Sequence, residues 1–363
     1  MTIGILGGGQ LGRMLALAGY PLGLRFRFLD PSPEAAAGQV AEHIAGSYDD
    51  HAILERFAEG LEVVTYEFEN VPLTTAQFLS RRVAVYPPVE ALEVAQDRLL
   101  EKNFLQTLGI PTAAFVPIDT ATDLQKGVEE IGLPAVLKTR RFGYDGKGQF
   151  VLRTMQEAAP AWEKLSDAPL VLERFVPFER EVSIIAVRGR NGEIVFYPLV
   201  ENHHGDGMLR FTLAPAPNRS ETLQAEAETY AQCILEKLNY AGVLAIEFFQ
   251  HNGRLLANEM APRVHNSGHW TIEAAATSQF ENHLRAIVGW PLGSTRATGY
   301  AAMLNLIGHI PSVDSMLGIP EVHLHLYGKV PRPGRKLGHL TLRAEDRETL
   351  AARVMQLQPL LTS

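Results

Sequence analysis

The first twelve residues commit the start of the chain to one architecture. An apolar run at residues 3–6 leads directly into Gly7, Gly9 and Gly12, and an amphipathic stretch covers residues 10–18. Glycine permits left-handed backbone and close approach, so this order reads as a buried strand, a tight turn and a helix. Further apolar runs at 25–29, 62–66 and 83–85 alternate with amphipathic segments, which predicts a parallel α/β unit. Tyr86-Pro87-Pro88 closes it, because proline cannot continue a ladder. G-x-G-x-x-G with Asp30 at the end of the second strand matches a dinucleotide site. A turn needed only for packing fits the same residues, and so does a helix N-terminus that holds another phosphorylated ligand.

From Asp97 the pattern changes. A helix ends at Gly109 with Pro111 beyond it, and strands at 135–138 and 170–175 flank a glycine-rich loop at 143–148. After Pro177 come long antiparallel runs, EVSIIAVR and EIVFYPLV, and then a hairpin that turns at Asn252-Gly253. The last ~70 residues read as strands and a short helix. The predicted class is α/β and α+β in three domains: 1–95, 96–292 with a lid subdomain at about 113–177, and 293–363.

Charge and cysteine usage narrow the partners. The chain carries 33 Lys and Arg against 41 Asp and Glu, a net charge of −8, whereas nucleic acid requires a basic footprint. The single Cys233 gives no internal disulfide and no CxxC metal site. The N-terminus lacks a basic n-region, and no run of 18 apolar residues occurs. A cytoplasmic protein with no nucleic-acid or membrane partner is expected.

Four segments carry chemistry. In VLKTRRFGYDGKGQFVL, Lys138 stands at a strand end before Gly143, Gly146 and Gly148, with Lys147 inside the loop. Backbone N–H groups and two ammonium groups suit a lid over polyphosphate, although a plain Gly/Asp turn is the simpler reading. The 252–253 hairpin places Glu247 nearly opposite Glu259 in apolar strands. Facing carboxylates are unfavourable unless a cation lies between them, and Mg²⁺ typically uses one or two carboxylates plus phosphate oxygens. APRVHNSGHWTIEA gathers Arg263, His265, Asn266, Ser267 and His269 in a donor-rich loop. It suits an anion, whereas either histidine could be structural. Between Glu321 and Glu345 there is no acid, yet Lys329, Arg332, Arg335, Lys336 and Arg343 occur, a bias that suits a phosphate.

These residues resemble a known family nearly end to end. GGGQLGRM, FLDPSPEAAAGQVA, TYEFENVP, KTRRFGYDGKGQ, ERFVPFEREVS, NEMAPRVHNSGHWTIEA and KVPRPGRKLGH are similar to N5-carboxyaminoimidazole ribonucleotide synthetases of purine biosynthesis. The resemblance implies an ATP-grasp fold with a Rossmann-like pre-ATP-grasp domain that serves the substrate, and a small C-terminal domain. It implies that Arg98 and Lys138 contact ATP phosphates under the loop Gly143, Tyr144, Asp145, Gly146, Lys147, Gly148 and Gln149. Glu173, Arg174, Phe175 and Val176 would line the adenine pocket through backbone groups. Glu181 would take the ribose hydroxyls, and His204 would complete the site. Glu247 and Glu259, with Asn258, would hold Mg²⁺; where the superfamily often has Asn two places after this glutamate, the chain has Ala261.

His265, Asn266 and Ser267 would hold bicarbonate, Arg263 would stabilise charge with Lys138 and Mg²⁺, and Tyr144 and Asp145 would orient the amine or manage protons. Gln10, Leu11, Lys329, Arg335 and Lys336 would bind the phosphate of 5-aminoimidazole ribonucleotide (AIR), and Glu67 its ribose. A homodimer is implied. A formate-dependent glycinamide ribonucleotide transformylase is the alternative within the class. A dehydrogenase would leave the paired glutamates and the lid without a use, and a non-catalytic nucleotide sensor would not need a complete set of acids, lysines and metal ligands.

Overall fold

The computed structural model describes every residue except Tyr144, Asp145, Arg219 and Ser363, and leaves out the side chains of Gln358, Leu360, Leu361 and Thr362. The opening unit is a parallel sheet of β1 (Thr2–Leu6), β2 (Arg25–Asp30), β3 (Glu42–Ala45), β4 (Val63–Tyr66) and β5 (Ala84–Val85), ordered β3-β2-β1-β4-β5. The helix Gln10–Gly19 follows β1 across the glycine turn, where Gly7 has φ +97°.

Next comes a small antiparallel sheet of β6 (Phe115–Ile118), β7 (Ala135–Thr139), β8 (Gln149–Leu152) and β9 (Leu170–Arg174), ordered β6-β9-β7-β8. Its inner face buries Leu137, Leu152 and Leu172 against Leu124, Val128 and Ala161 of two helices. It lies within the expected lid segment. The third sheet contains β10 (Arg180–Arg188), β11 (Ile194–Phe196), β12 (Val200–Gly205), β13 (Met208–Ala214), β14 (Gly242–His251) and β15 (Arg254–Ala261).

One expectation changes in that third sheet. EIVFYPLV is not one strand: it breaks between β11 and β12 around Pro198, since proline removes a ladder donor. The C-terminal strands β16 (Tyr300–Ile307), β17 (Val322–Leu326) and β18 (Lys336–Ala344) do not form a sheet of their own. β16 pairs with β13, so the order runs β15-β14-β10-β12-β13-β16-β18-β17. The C-terminal segment still has its own core around Leu306, Leu340 and Leu357.

One apolar cluster joins the first sheet to the third. It includes Ile5, Met14 and Phe28 on one side and Val243, Phe280 and Leu284 on the other. Gly19 lets the first helix approach closely: a Cβ there would lie 2.9 Å from Leu284. His283 spans the junction, its Nε2 2.9 Å from Thr65 Oγ1 while Nδ1 accepts from Val243 N–H at 3.1 Å. Among the described residues, no helix is long and apolar enough to cross a membrane.

Candidate active site

A single cleft of about 650 Å³ passes between the three sheets, from the glycine turn at Gly9–Leu11 to the small sheet at Lys138 and Val151. At the first end, carboxylates already occupy the turn. Glu67, just past β4, accepts from Gly9 N–H at 2.8 Å and Gly12 N–H at 3.2 Å. Burial raises the Glu67 carboxyl, and these two amides partly offset it. Asp30 accepts from Gly8 N–H and Ser32 N–H, each at 2.8 Å. The Gly9 and Gly12 amides that a dinucleotide pyrophosphate would use are taken by Glu67, which counts against the dehydrogenase reading. Gln10 and Leu11 line the cleft.

The basic tail comes back to this end. Lys329 Nζ donates to Gln10 Oε1. Burial lowers Lys329, Glu67 opposes that, and Arg335, Lys336 and Arg332 lower it further, so the cations cluster. Lys336 lines the cleft. Arg335 donates to Val330 O at 3.1 Å, and both Arg335 and Lys329 stand outside the lining.

At the other end the helix Arg98–Thr107 organises the charges. Asp97 caps it through Leu99 N–H and Leu100 N–H and also binds Arg140 at 2.8 Å. Arg98 reaches Glu259 at 3.1 Å and donates to Gly143 O at 2.9 Å. Glu173 is clamped 3.0 Å from Lys138 Nζ and 3.2 Å from Lys102 Nζ. Glu173 lines the cleft, and its buried side chain fixes Lys138. Arg174 and Phe175 line the cleft, but their N–H groups already donate to Ala114 O at 2.8 Å and Pro134 O at 3.1 Å. Val176 also lines the cleft, near the stacked rings of Phe178 and Phe249, 4.7 Å apart. Glu181 Oε2 meets His204 Nδ1 at 2.6 Å.

The hairpin pairs Glu247 with Glu259 directly, one residue off the register counted from its turn, which would set Glu247 opposite Asn258. A bulge follows: Phe248 pairs with Ala257, so Asn258 is an extra residue on β15, and both Asn258 and Glu259 line the cleft. Burial raises the Glu247 carboxyl to about 7, and the charge of Glu259 adds to this. Burial acts the same way on Glu259, but Arg98 overrides it and lowers the group. Asn258 Oδ1 is buried with no hydrogen-bond partner among the described residues.

Between the two ends lies the loop after β15. Glu69 holds Arg263 through Nε at 3.0 Å and Nη2 at 2.9 Å. His265 Nε2 is 3.7 Å from Glu247 Oε1, and burial and then Arg263 drive its ring well below the ordinary range, so it is neutral. Asn266 lines the cleft, and neither its Oδ1 nor its Nδ2 has a partner among the described residues.

Ser267 corrects an expectation. It is fully buried, bonded to Ser183 and His265, and absent from the lining, so it cannot itself hold bicarbonate. His269 is structural, buried against Phe280 and His339.

The loop at 143–149 reaches the opposite wall. A Cβ on Gly146 (φ +74°) would lie 2.9 Å from Gly207 Cα in the β12–β13 turn. Gly146, Lys147 and Gln149 line the cleft, whereas Gly148 forms the loop's neck, with O accepting from Thr139 N–H at 2.8 Å. Tyr144 and Asp145 lie outside the described residues.

Sequence reasoning missed Glu101, Lys102, Glu69 and the phenylalanine pair. Arg98, Glu101, Lys102 and Leu105 share one helix face, a spacing that could have signalled burial had charge not argued for solvent.

Comparison with known proteins completes the site's context. The chain matches the ribonucleotide synthetase preATP-grasp domain over residues 1–96 and the ATP-grasp domain over residues 103–280. Residues 301–353 match the phosphoribosylaminoimidazole carboxylase C-terminal domain. It is 53% identical to an N5-carboxyaminoimidazole ribonucleotide synthase of Pseudomonas aeruginosa, over 99% of each chain. A crystal structure of the corresponding synthetase from Thermus thermophilus superposes with a TM-score of 0.96 at 60% identity, covering 99% of each chain. An Aspergillus clavatus synthase in complex with ADP and AIR gives 0.92 at 32% identity, covering 99% of this chain and 97% of that one. A fold with these three parts, one cleft through them, and this likeness over its whole length place the chain in the N5-carboxyaminoimidazole ribonucleotide synthase family of ATP-grasp enzymes.

Proposed function

We propose that the chain carboxylates the exocyclic amine of AIR, consuming ATP and bicarbonate and releasing ADP and phosphate, in purine biosynthesis. The observation that carries this reading is the order of groups along one cleft. A cationic cluster lies at the glycine turn and a lysine–arginine pair at the lid, and the donors Arg263, His265 and Asn266 stand between them. Two phosphorylated substrates can enter from opposite ends and meet a small anion in the middle.

Bicarbonate is a poor electrophile. Transfer of the γ-phosphoryl group to it gives carboxyphosphate, which releases CO₂ beside the amine. The residues contribute position and charge rather than covalent chemistry. We assign Lys138 and Arg98 to the ATP phosphates, Val176 N–H with Phe178 and Phe249 to adenine, and Glu181 and His204 to the ribose. The loop at 143–149 covers the phosphates. Arg263, held by Glu69, takes bicarbonate with His265 and Asn266. Gln10, Leu11 and Lys336 take the AIR phosphate, Lys329 behind Gln10 and Arg335 support them from outside the lining, and Glu67 takes the AIR ribose. Tyr144 and Asp145 are assigned to the amine by resemblance alone.

The donor set fits Mg²⁺. Glu247, Glu259 and the unpartnered Asn258 Oδ1 are all oxygens. Among the described residues, no group of three or more His, Cys, Asp or Glu could hold a metal, so an ion here would complete its shell with phosphate oxygens. Bound there, Mg²⁺ would neutralise triphosphate charge.

We further propose that residues 1–95 serve AIR and 96–292 serve ATP, with 293–363 supplying the phosphate cations, in a cytoplasmic homodimer. Sedimentation at micromolar concentration tests the dimer. The decisive assay for function is ADP release. It should require both AIR and bicarbonate, and release that responds to formate and glycinamide ribonucleotide instead would overturn the reading.

A further inference from the structure

The third sheet carries a row of polar side chains where a buried sheet face would ordinarily be apolar. Thr212, Asn202 and Ser183 lie on the neighbouring strands β13, β12 and β10, and all three are buried along with Ser267. They form an unbroken chain. Thr212 Oγ1 donates to Asn202 Oδ1 at 2.9 Å, Asn202 Nδ2 to Ser183 Oγ at 2.9 Å, and Ser183 Oγ to Ser267 Oγ at 2.8 Å. Ser267 Oγ is 2.9 Å from His265 Nδ1. Each buried hydroxyl or amide would cost free energy if left unpaired, so this row persists only as a complete network.

The direction of the chain follows from its end. The backbone N–H of Ser267 also points at His265 Nδ1, at 3.3 Å, and an amide can only donate. Nδ1 must therefore accept. The Ser267 hydroxyl, free to donate to Nδ1, then accepts from Ser183, and the same polarity passes back through Asn202 to Thr212. With Nδ1 accepting, a neutral ring carries its proton on Nε2, the nitrogen that faces Glu247 at the cleft wall.

We infer that Ser183, Asn202 and Thr212 are positioning residues which, through Ser267, fix the imidazole of His265 in the orientation and tautomer that presents Nε2–H to the cleft. A ring so held is a hydrogen-bond donor to an anionic oxygen, not a base waiting to take a proton. This deepens the proposed function and rests on it in one respect: the oxygen is that of bicarbonate or of the carboxyphosphate formed from it.

The test has two arms. In protein labelled with ¹⁵N-histidine, with the His265 signals assigned by their loss in His265→Gln, the free wild-type enzyme should show a protonated Nε2 and a bare Nδ1. Ser183→Ala and Thr212→Val should free the Ser267 hydroxyl to turn away from Nδ1, leaving only the 3.3 Å amide contact to hold it as an acceptor, so the ring should shift partly toward the other tautomer, and Thr212→Ser should restore it. In steady-state kinetics the same two disrupting variants should raise KM for bicarbonate about tenfold, the scale of one misaligned hydrogen bond, with KM for ATP within about twofold. A wild-type ring protonated on Nδ1 would overturn the inference, even if every variant misfolds. So would an unchanged ring pattern in the folded variants. A changed ring pattern with unchanged bicarbonate KM upholds the relay and removes bicarbonate from His265.

Discussion

Replacing Glu173 with glutamine isolates the electrostatic core of the nucleotide end. The residue is 2% exposed, and one carboxylate oxygen serves both Lys138 at 3.0 Å and Lys102 at 3.2 Å. Burial alone would raise this carboxyl, but Lys102 and Lys138 pull it down to about 2 from an ordinary 4.5. That difference corresponds to about 3 kcal/mol of folding stability. Removing one partner of a buried ion pair typically costs about 3–5 kcal/mol, the same scale, because the remaining charges lose their counter-ion.

Glu173→Gln should therefore lower the melting temperature at neutral pH by roughly 4–7 °C. Because the folded value is depressed, the stabilisation is present above about 4.5 and is lost as pH falls through about 2. The gap between wild type and variant should narrow over that window and nowhere above it. Saturating ATP should raise the variant's melting temperature more than the wild type's, since phosphate would resupply the missing negative charge beside Lys138. A melting temperature within about 2 °C of wild type at pH 7, or a gap indifferent to acid, would refute the argument.

Glu259→Gln should abolish ATP turnover with an unchanged circular dichroism spectrum; near-normal ADP release at saturating Mg²⁺ would remove the metal assignment. Lys329→Ala should raise KM for AIR about tenfold or more and leave ATP affinity unchanged, with Arg335→Ala weaker in effect because its guanidinium is engaged at Val330 O. Isothermal titration with each ligand separates the two, and a loss confined to ATP would assign the tail to the other pocket. Gly146→Ala should lower kcat and raise KM for ATP, because it must adopt φ +74° and would approach Gly207 Cα to 2.9 Å; unaltered kinetics would mean the loop need not close there.

What could be read in the sequence was what local pattern controls. The strand–turn–helix at the N-terminus follows from apolar period and glycine position, and counting outward from Asn252-Gly253 brings Glu247 to within one residue of facing Glu259. The bulge at Asn258 could not be counted, because it inserts one residue into a regular alternation and depends on packing across the strands. The joining of β13 to β16 is a pairing of residues about ninety positions apart, and no local signal encodes it. Ser267 was misread for a related reason. Its neighbours His265 and Asn266 line the cleft, but the short helical turn at Asn266–Gly268 rotates Ser267 inward toward β10.

The buried charges show why such a site resists reading from composition. One face of the helix Arg98–Thr107 touches the hairpin, the loop and the small sheet at the nucleotide end. Arg98 reaches the hairpin at Glu259 and the loop at Gly143. Glu101 accepts from Met260 N–H at 2.5 Å, and burial, with the charge of Glu259, pushes its carboxyl up to about 8. Lys102 meets Glu173 on the small sheet. Leucines at these positions would bury well and could stabilise the fold as much or more, since desolvated ion pairs gain little over apolar packing. They could not fix direction. A hydrophobic contact tolerates sliding, whereas Glu101 on the Met260 amide and Lys102 on Glu173 each permit only one register. The helix therefore sets where the carboxylates of β14 and β15 stand relative to Lys138. That relation must be correct before ATP arrives if phosphates are to be received by charge already in place.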